Sequence, residues 1–191
     1  MDWVSVFDEA HPQPGASDAV LERFVAEVAR PMSAAEIREI NATQSNPFPE
    51  SHPLFAAQHA AWRPLDASKW VIPDRPLPPA YLSLLRWSNG GEFRTGERLF
   101  QFFPAIDPQH GVRAMMLGYR IPEYMPGAIP VAFDGCGTFY LLDMRQPAVA
   151  GEYPVVTSHA GCLGWEEDEC GQVADSLVAA CRAADNVDHD D

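Results

Sequence analysis

The chain of 191 residues carries 13 Lys and Arg against 27 Asp and Glu, a net charge of -14, and 47% of its residues are hydrophobic. This composition suffices for a buried core and excludes a disordered chain, while the charge argues against a nucleic-acid-binding surface, which needs clustered cations. No apolar stretch approaches the roughly 20 residues that span a bilayer, and the N-terminus lacks the basic start and apolar block of a secretory signal, so we expect a cytoplasmic protein without a membrane partner.

The first third of the chain predicts two helices followed by a proline-rich loop. Apolar residues recur with helical spacing after a candidate N-cap at Ser17, at positions Leu21, Phe24, Val25 and Val28. Ser33 and Glu36 have the spacing of a capping box at the start of the second helix. Residues 45–53 indicate a loop. We assign residues 1–74 to a helical and proline-rich extension packed on the core.

The strongest helix signal lies in LPPAYLSLLRWSNGG, which begins at Leu77. Pro78 and Pro79 suit the first turn of a helix, where a missing N–H costs nothing. The spacing predicts one apolar face, formed by Tyr81, Leu84 and Leu85. Asn and Gly tolerate the left-handed conformation that ends a helix, so we predict a structural cap and turn at Asn89, Gly90 and Gly91.

After this helix the spacing of the apolar residues changes from the helical pattern to that of strands. RLFQFFPAI, residues 98–106, predicts one strand, and two apolar runs around Asp134-Gly135-Cys136-Gly137 predict a hairpin with structural glycines at Gly135 and Gly137. FYLL within that hairpin is apolar on both faces, as in a strand covered on both sides. A further strand is predicted at residues 153–157.

The acidic loop GWEEDECG leads into a predicted closing helix whose stripe is Val173, Leu177 and Cys181. Helices followed by a run of strands and a last helix predict the α+β class, with a mostly antiparallel sheet packed with helices.

No motif in the sequence predicts catalysis. Asp134 precedes a glycine, and we interpret it as an Asx turn that holds backbone amides rather than as a catalytic acid. His159, Cys162 and Asp168 contain the residue types of a nucleophilic set, and Cys162 with Cys170 and a histidine those of a zinc site, but neither has a supporting spacing. We therefore expect no catalytic residue, no metal and no cofactor, and a protein that is not an enzyme.

Four blocks, in this order, resemble the SUKH superfamily, which includes fungal cell-wall-assembly and killer-toxin-resistance regulators and many bacterial immunity proteins. The blocks are LPPAYLSLLRWSNGG, the strand around LFQFFP, IPVAFDGCGTFYLLD and the terminal helix from about Val173 to Ala184. The resemblance implies a SUKH-like core over residues 75–184, followed by a polar tail over 185–191.

The resemblance also implies a domain that acts by binding, as an immunity protein against a toxin that is often a nuclease. The alternative is a regulatory scaffold for an endogenous signalling or cell-envelope protein. The acidic charge fits a basic protein partner, although solubility explains it equally well. The predicted contact residues are Glu92, Asp134, Glu166, Glu167, Asp168 and Glu169, of which the last four also fit a merely solvated run.

Overall fold

The computed structural model describes residues 1–43, 50–61 and 63–183. Its strands are β1 (Glu9–Pro12), β2 (Gly91–Thr95), β3 (Arg98–Phe102), β4 (Ala128–Phe133), β5 (Thr138–Asp143), β6 (Val155–His159) and β7 (Cys170–Ala174). The α-helices are α1 (Asp18–Val28), α2 (Ala34–Ala42), α3 (Phe55–Ala61), α4 (Pro79–Trp87), α5 (Val112–Gly118), α6 (Ile121–Tyr124) and α7 (Leu177–Arg182). Two 3-10 turns lie at Trp3–Ser5 and Ala67–Lys69.

The seven strands form one sheet in which the order of the strands follows their order in the chain. Every pair of neighbouring strands is antiparallel. The predicted α+β class with an antiparallel sheet is therefore confirmed.

The chain divides into two compact units. One consists of Met1–Arg30 together with the chain from Ile72 onward and contains the sheet, and the other is Pro31–Val71. Within the smaller unit, the predicted capping box of Ser33 and Glu36 is present at the start of α2, and Asn41 accepts a hydrogen bond from the Ala67 amide at 3.1 Å. The predicted boundary at residue 74 stays a prediction.

The core of the sheet-containing unit lies on both sides of β5. Phe139, Tyr140, Leu141 and Leu142 are all buried, and successive side chains of a strand point to opposite faces. On one face the ring of Tyr140 lies 4.5 Å from that of Phe100, and on the other the ring of Phe139 lies 4.0 Å from that of Phe133. The prediction that this strand is covered on both faces is confirmed.

Helix α4 adopts the predicted form. It begins at Pro79, and its three most buried residues are the predicted ones, Tyr81, Leu84 and Leu85. Helix α1 begins after the predicted cap Ser17 and buries Leu21, Phe24 and Val28. Val25, predicted for the same stripe, is 40% exposed because it lies at the margin of that stripe.

Three parts of the fold differ from the sequence-based expectation. Strands β1, β2 and β7 were not predicted, and neither were α5 and α6. The closing helix is shorter than predicted, because Val173 belongs to β7 and α7 starts only after the N-cap Ser176. Most of the predicted loop over residues 45–53, and the predicted tail over 185–191, lie outside the described residues.

Candidate protein-binding site

Asn89, Gly90 and Gly91 connect the end of α4 to the start of β2. The Asn89 side chain accepts a hydrogen bond from the Ala105 amide at 2.8 Å, which ties this turn to the segment after β3. Gly90 and Gly91 have φ angles of 95° and 110°, a region that L side chains rarely adopt. These conformations and this hydrogen bond give the three residues a structural role in the turn, rather than a role as contacts for a partner.

Asp134 lies in the tight turn between β4 and β5. Its Oδ1 atom accepts hydrogen bonds from the amides of Cys136 at 2.7 Å and Thr138 at 2.9 Å. The two glycines of the turn, Gly135 and Gly137, have φ angles of 83° and 102°. The geometry is that of the predicted Asx turn, so this carboxylate acts first as a structural acceptor.

Glu92 is an exposed residue of β2. Its carboxylate accepts a hydrogen bond at 3.0 Å from the Gln101 side chain, which lies directly opposite on β3. A pair of this kind stabilises a sheet by a modest amount, roughly 0.2–1 kcal/mol. Glu92 is therefore accessible to a partner but is also a member of a cross-strand pair.

The acidic run Glu166–Glu169 forms a turn immediately before β7. Glu166, Glu167 and Asp168 are exposed and Glu169 is half-buried. The turn is closed by hydrogen bonds of 3.0 Å from the amides of Glu169 and Cys170 to the carbonyl of Glu166. The three exposed carboxylates thus sit on an ordered turn that presents them next to a strand.

Trp165, the residue before this run, anchors the loop. Its indole N–H donates to the Pro126 carbonyl at 3.2 Å, and the Arg145 guanidinium lies over its ring at 3.5 Å from the centroid. Arg145 also forms an ion pair with Asp143 at 2.8 Å. Trp165 therefore anchors the loop through contacts with residues distant in the chain, and no local signal in the sequence indicates its pairing with Arg145.

The structure does not bring the predicted contact residues together. The register places Glu92 and Cys170 in one row across the sheet, on β2 and β7. Five strand spacings of roughly 4.8 Å separate them, or roughly 24 Å. Glu92 and the acidic run therefore lie near opposite edges of the sheet, and a small partner surface contacts one of them at a time.

The β7 edge is the more strongly charged of the two. Residues 146–181 contain no Lys or Arg but six acidic residues, Glu152, Glu166, Glu167, Asp168, Glu169 and Asp175. Asp175 follows β7 directly and is exposed. We call the run Glu166–Glu169, strand β7 and Asp175 the acidic edge, and it is the candidate site for a protein partner.

The described residues show no arrangement suited to metal chemistry, since no group of three or more His, Cys, Asp or Glu side chains among them could hold a metal ion. His159, which the sequence placed in a conceivable nucleophilic set, accepts a hydrogen bond on Nδ1 from the Gly161 amide at 3.1 Å. Cys162 is exposed and Cys170 half-buried. Burial raises the pKa of the Cys170 thiol, with a smaller opposing effect of Arg145, which disfavours the reactive thiolate.

The groups with the largest pKa shifts are in the core. Burial raises the pKa of Tyr140 to about 12, and it also raises the pKa values of Tyr81 and Cys181. All three residues are buried. Desolvation by burial is the largest cause of each shift. None of the described helices is both long and apolar enough to cross a membrane.

A comparison with known protein families gives a match over more than half of the chain. Residues 72–180 match the SMI1 / KNR4 family (SUKH-1). The matched region starts in the extended segment before α4 and ends within α7. It includes strands β2–β7 and the acidic edge. A search among curated proteins found no match.

Proposed function

The chain belongs to the SMI1 / KNR4 family (SUKH-1), and from this membership we propose that it works in the cytoplasm by stoichiometric binding of a protein, without catalysis and without a cofactor. Family membership is the observation that carries the proposal. It is consistent with an immunity protein or a regulatory protein, so the nature of the partner has to come from the chemistry of the surface.

That chemistry favours an immunity protein whose partner is a basic toxin domain. The chain carries a net charge of -14, and Glu166, Glu167 and Asp168 are exposed in a segment that contains no cation. A nuclease is basic where it contacts the phosphates of its substrate. Carboxylates on an ordered turn occupy such a face because they carry the same negative charge as the phosphates. Attraction between the acidic and the basic surface also speeds the association of the two proteins.

The experiment that tests this function uses the full chain and the protein encoded next to it. Coexpression should protect cells from that protein, and a pull-down should recover a complex. Stoichiometric binding requires that protection rise in proportion to the amount of this protein until the two are equimolar. Protection at far lower amounts would indicate turnover and overturn the non-catalytic mechanism. Recovery of housekeeping proteins instead of the neighbour would favour the regulatory scaffold.

The role of charge is tested by a pair of matched variants. Glu166→Gln with Glu167→Gln removes two exposed charges from the acidic edge, and Glu22→Gln with Glu97→Gln removes two exposed charges elsewhere. We expect the first variant to bind the toxin roughly threefold to tenfold more weakly and with less dependence on salt. Equal affinities and equal salt dependence for both variants would contradict a role of the acidic edge.

A further inference from the structure

The two edges of the sheet differ in how they are protected against an added strand. Strand β1 ends in Pro12, which has no N–H to donate, and starts with Glu9, whose carboxylate lies 3.9 Å from the Arg94 guanidinium. Proline and charge are the usual devices by which an edge avoids pairing with another chain. Strand β1 is therefore a blocked edge.

Strand β7 has neither of these devices. Its sequence, Cys-Gly-Gln-Val-Ala, contains no proline and no charge. It pairs with β6 on one side, and within the described part of the chain the amides of residues 171–174 make no backbone hydrogen bond outside that pairing. The outer side of β7 thus offers backbone donors and acceptors to an additional strand.

A bulge limits how much of β7 is available. The pairing with β6 shifts register between Val155 and Val156, opposite Ala174 and Gln172, so Val173 is the extra residue. A bulge locally disrupts the ladder and bends the strand, which leaves Cys170–Gln172 as the regular part. Pairing over so few residues is weak, so a stable complex needs a second source of affinity.

The negative charges at the two ends of β7 provide this additional affinity, and they favour a basic segment over an acidic one. The run Glu166–Glu169 precedes the strand and Asp175 follows it. A second copy of this chain, paired antiparallel through β7, would bring the acidic run of each copy next to Asp175 of the other, and like charges facing each other are destabilising. A segment that carries Lys or Arg meets an opposite charge at both ends.

We propose that the outer edge of β7 binds an extended, basic segment of the partner protein as an eighth strand of the sheet. The proposal rests on the proposed binding function and specifies its surface and the chemistry of its partner. Backbone hydrogen bonds to β7 fix the direction and register of the segment, and contacts of its cations with Glu166–Glu169 and Asp175 provide the charge complementarity that excludes acidic strands.

The test uses the whole protein and three synthetic peptides with blocked ends, followed by NMR of the backbone amides. The first peptide alternates Lys and Val, the second alternates Glu and Val, and the third is the Lys peptide with its alternate peptide nitrogens methylated. The methylated peptide retains the charge but cannot donate the hydrogen bonds of a strand. We expect the Lys peptide alone to shift the amide signals of residues 170–174.

The matched variants then separate strand addition from simple charge attraction. The affinity of the Lys peptide should fall roughly threefold to tenfold in Glu166→Gln with Glu167→Gln and stay unchanged in Glu22→Gln with Glu97→Gln. Circular dichroism establishes that each variant is folded.

Four outcomes would overturn the proposal: equal binding of the methylated peptide, shifts centred outside β7, no shifts at millimolar peptide, or concentration-dependent shifts of β7 without peptide, which would identify a second copy as the occupant. None of these outcomes changes the result expected in the toxin-protection experiment. The two experiments therefore distinguish an incorrect binding surface from an incorrect function.

Discussion

Arg145 lies over the indole ring of Trp165, with its guanidinium carbon 3.5 Å from the ring centroid, and the same guanidinium is held by Asp143 through bonds of 2.9 and 2.8 Å. Pro126 and Arg145 lie next to the start of β4 and the end of β5. In an antiparallel sheet these ends are opposite to the connection between β6 and β7. The loop that carries the acidic run is therefore fastened to residues outside the two strands it joins, and the anchor Arg145 is close enough to Cys170, the first residue of β7, to affect the pKa of its thiol.

Trp165→Leu should release this loop. The substitution removes the contact with Arg145 and the hydrogen bond to Pro126, and we expect a loss of about 1–2 kcal/mol in the free energy of unfolding. Hydrogen exchange of residues 163–169 should become faster while that of β5 stays slow. Arg145→Gln should produce part of the effect, and Arg23→Gln, on the exposed side of α1, none. Unchanged exchange in both anchor variants would contradict the anchoring role.

Gly91→Ala should destabilise the fold by about 1 kcal/mol or more, because Gly91 has a φ of 110° and a Cβ there would lie 2.7 Å from the His11 carbonyl oxygen. Gly118→Ala is the matched control, since a Cβ at that position has nothing within 4 Å and the residue ends a helix. We expect the control to be as stable as the parent or slightly more stable. Urea unfolding measures both, and equal midpoints would refute the assignment of strain at Gly91.

Glu152 should make stability fall as the pH rises. Burial raises the pKa of its carboxyl above 4.5, although backbone hydrogen bonds from Leu177 and Ala80, in the first turns of α7 and α4, oppose that shift. As the pH rises from about 4.5 toward the folded pKa, the unfolded chain loses this proton first, which favours unfolding.

In the variant Glu152→Gln the side chain at this position does not titrate. The free energy of unfolding of the parent should therefore decrease relative to that of this variant between pH 4.5 and the folded pKa. Urea titrations at several pH values test the slope, with Glu22→Gln as the exposed control. A constant difference between parent and Glu152→Gln over this range would show that the shift is absent.

The four cysteines should react with iodoacetamide in the order of their exposure. Cys136 and Cys162 are exposed, Cys170 is half-buried and Cys181 is buried. Since burial also raises the pKa values of Cys170 and Cys181, fewer of these thiols are thiolates at neutral pH. Mass spectrometry of the alkylated peptides should show Cys136 and Cys162 first, Cys170 more slowly and Cys181 only after unfolding. Equal rates for Cys162 and Cys170 would contradict this order.

The features that the sequence predicted are those with a local cause. The caps of α1 and α2, the apolar face of α4 and the turn at Asp134 each depend on residues within a few positions of one another. Strands β1 and β7 depend instead on pairing with residues elsewhere, and their own sequences, EAHP and CGQVA, have weak strand propensity. The acidic run is also a local feature and was visible in the sequence. Its place beside an open sheet edge depends on the pairing of distant strands and was not visible.

Among the strand pairs, β1 with β2 spans the longest stretch of chain, from Pro12 to Gly91, whereas the turn between β4 and β5 is only Asp134–Gly137 long. The entropy lost on closing a loop grows with its length. We therefore expect the six later strands to pair before β1, which has the longest loop to close, docks onto them. On this view a chain that lacks β1 should still form the remaining six-stranded sheet, and the β1–β2 pairing should be the first to separate when the chain is pulled from its N-terminus.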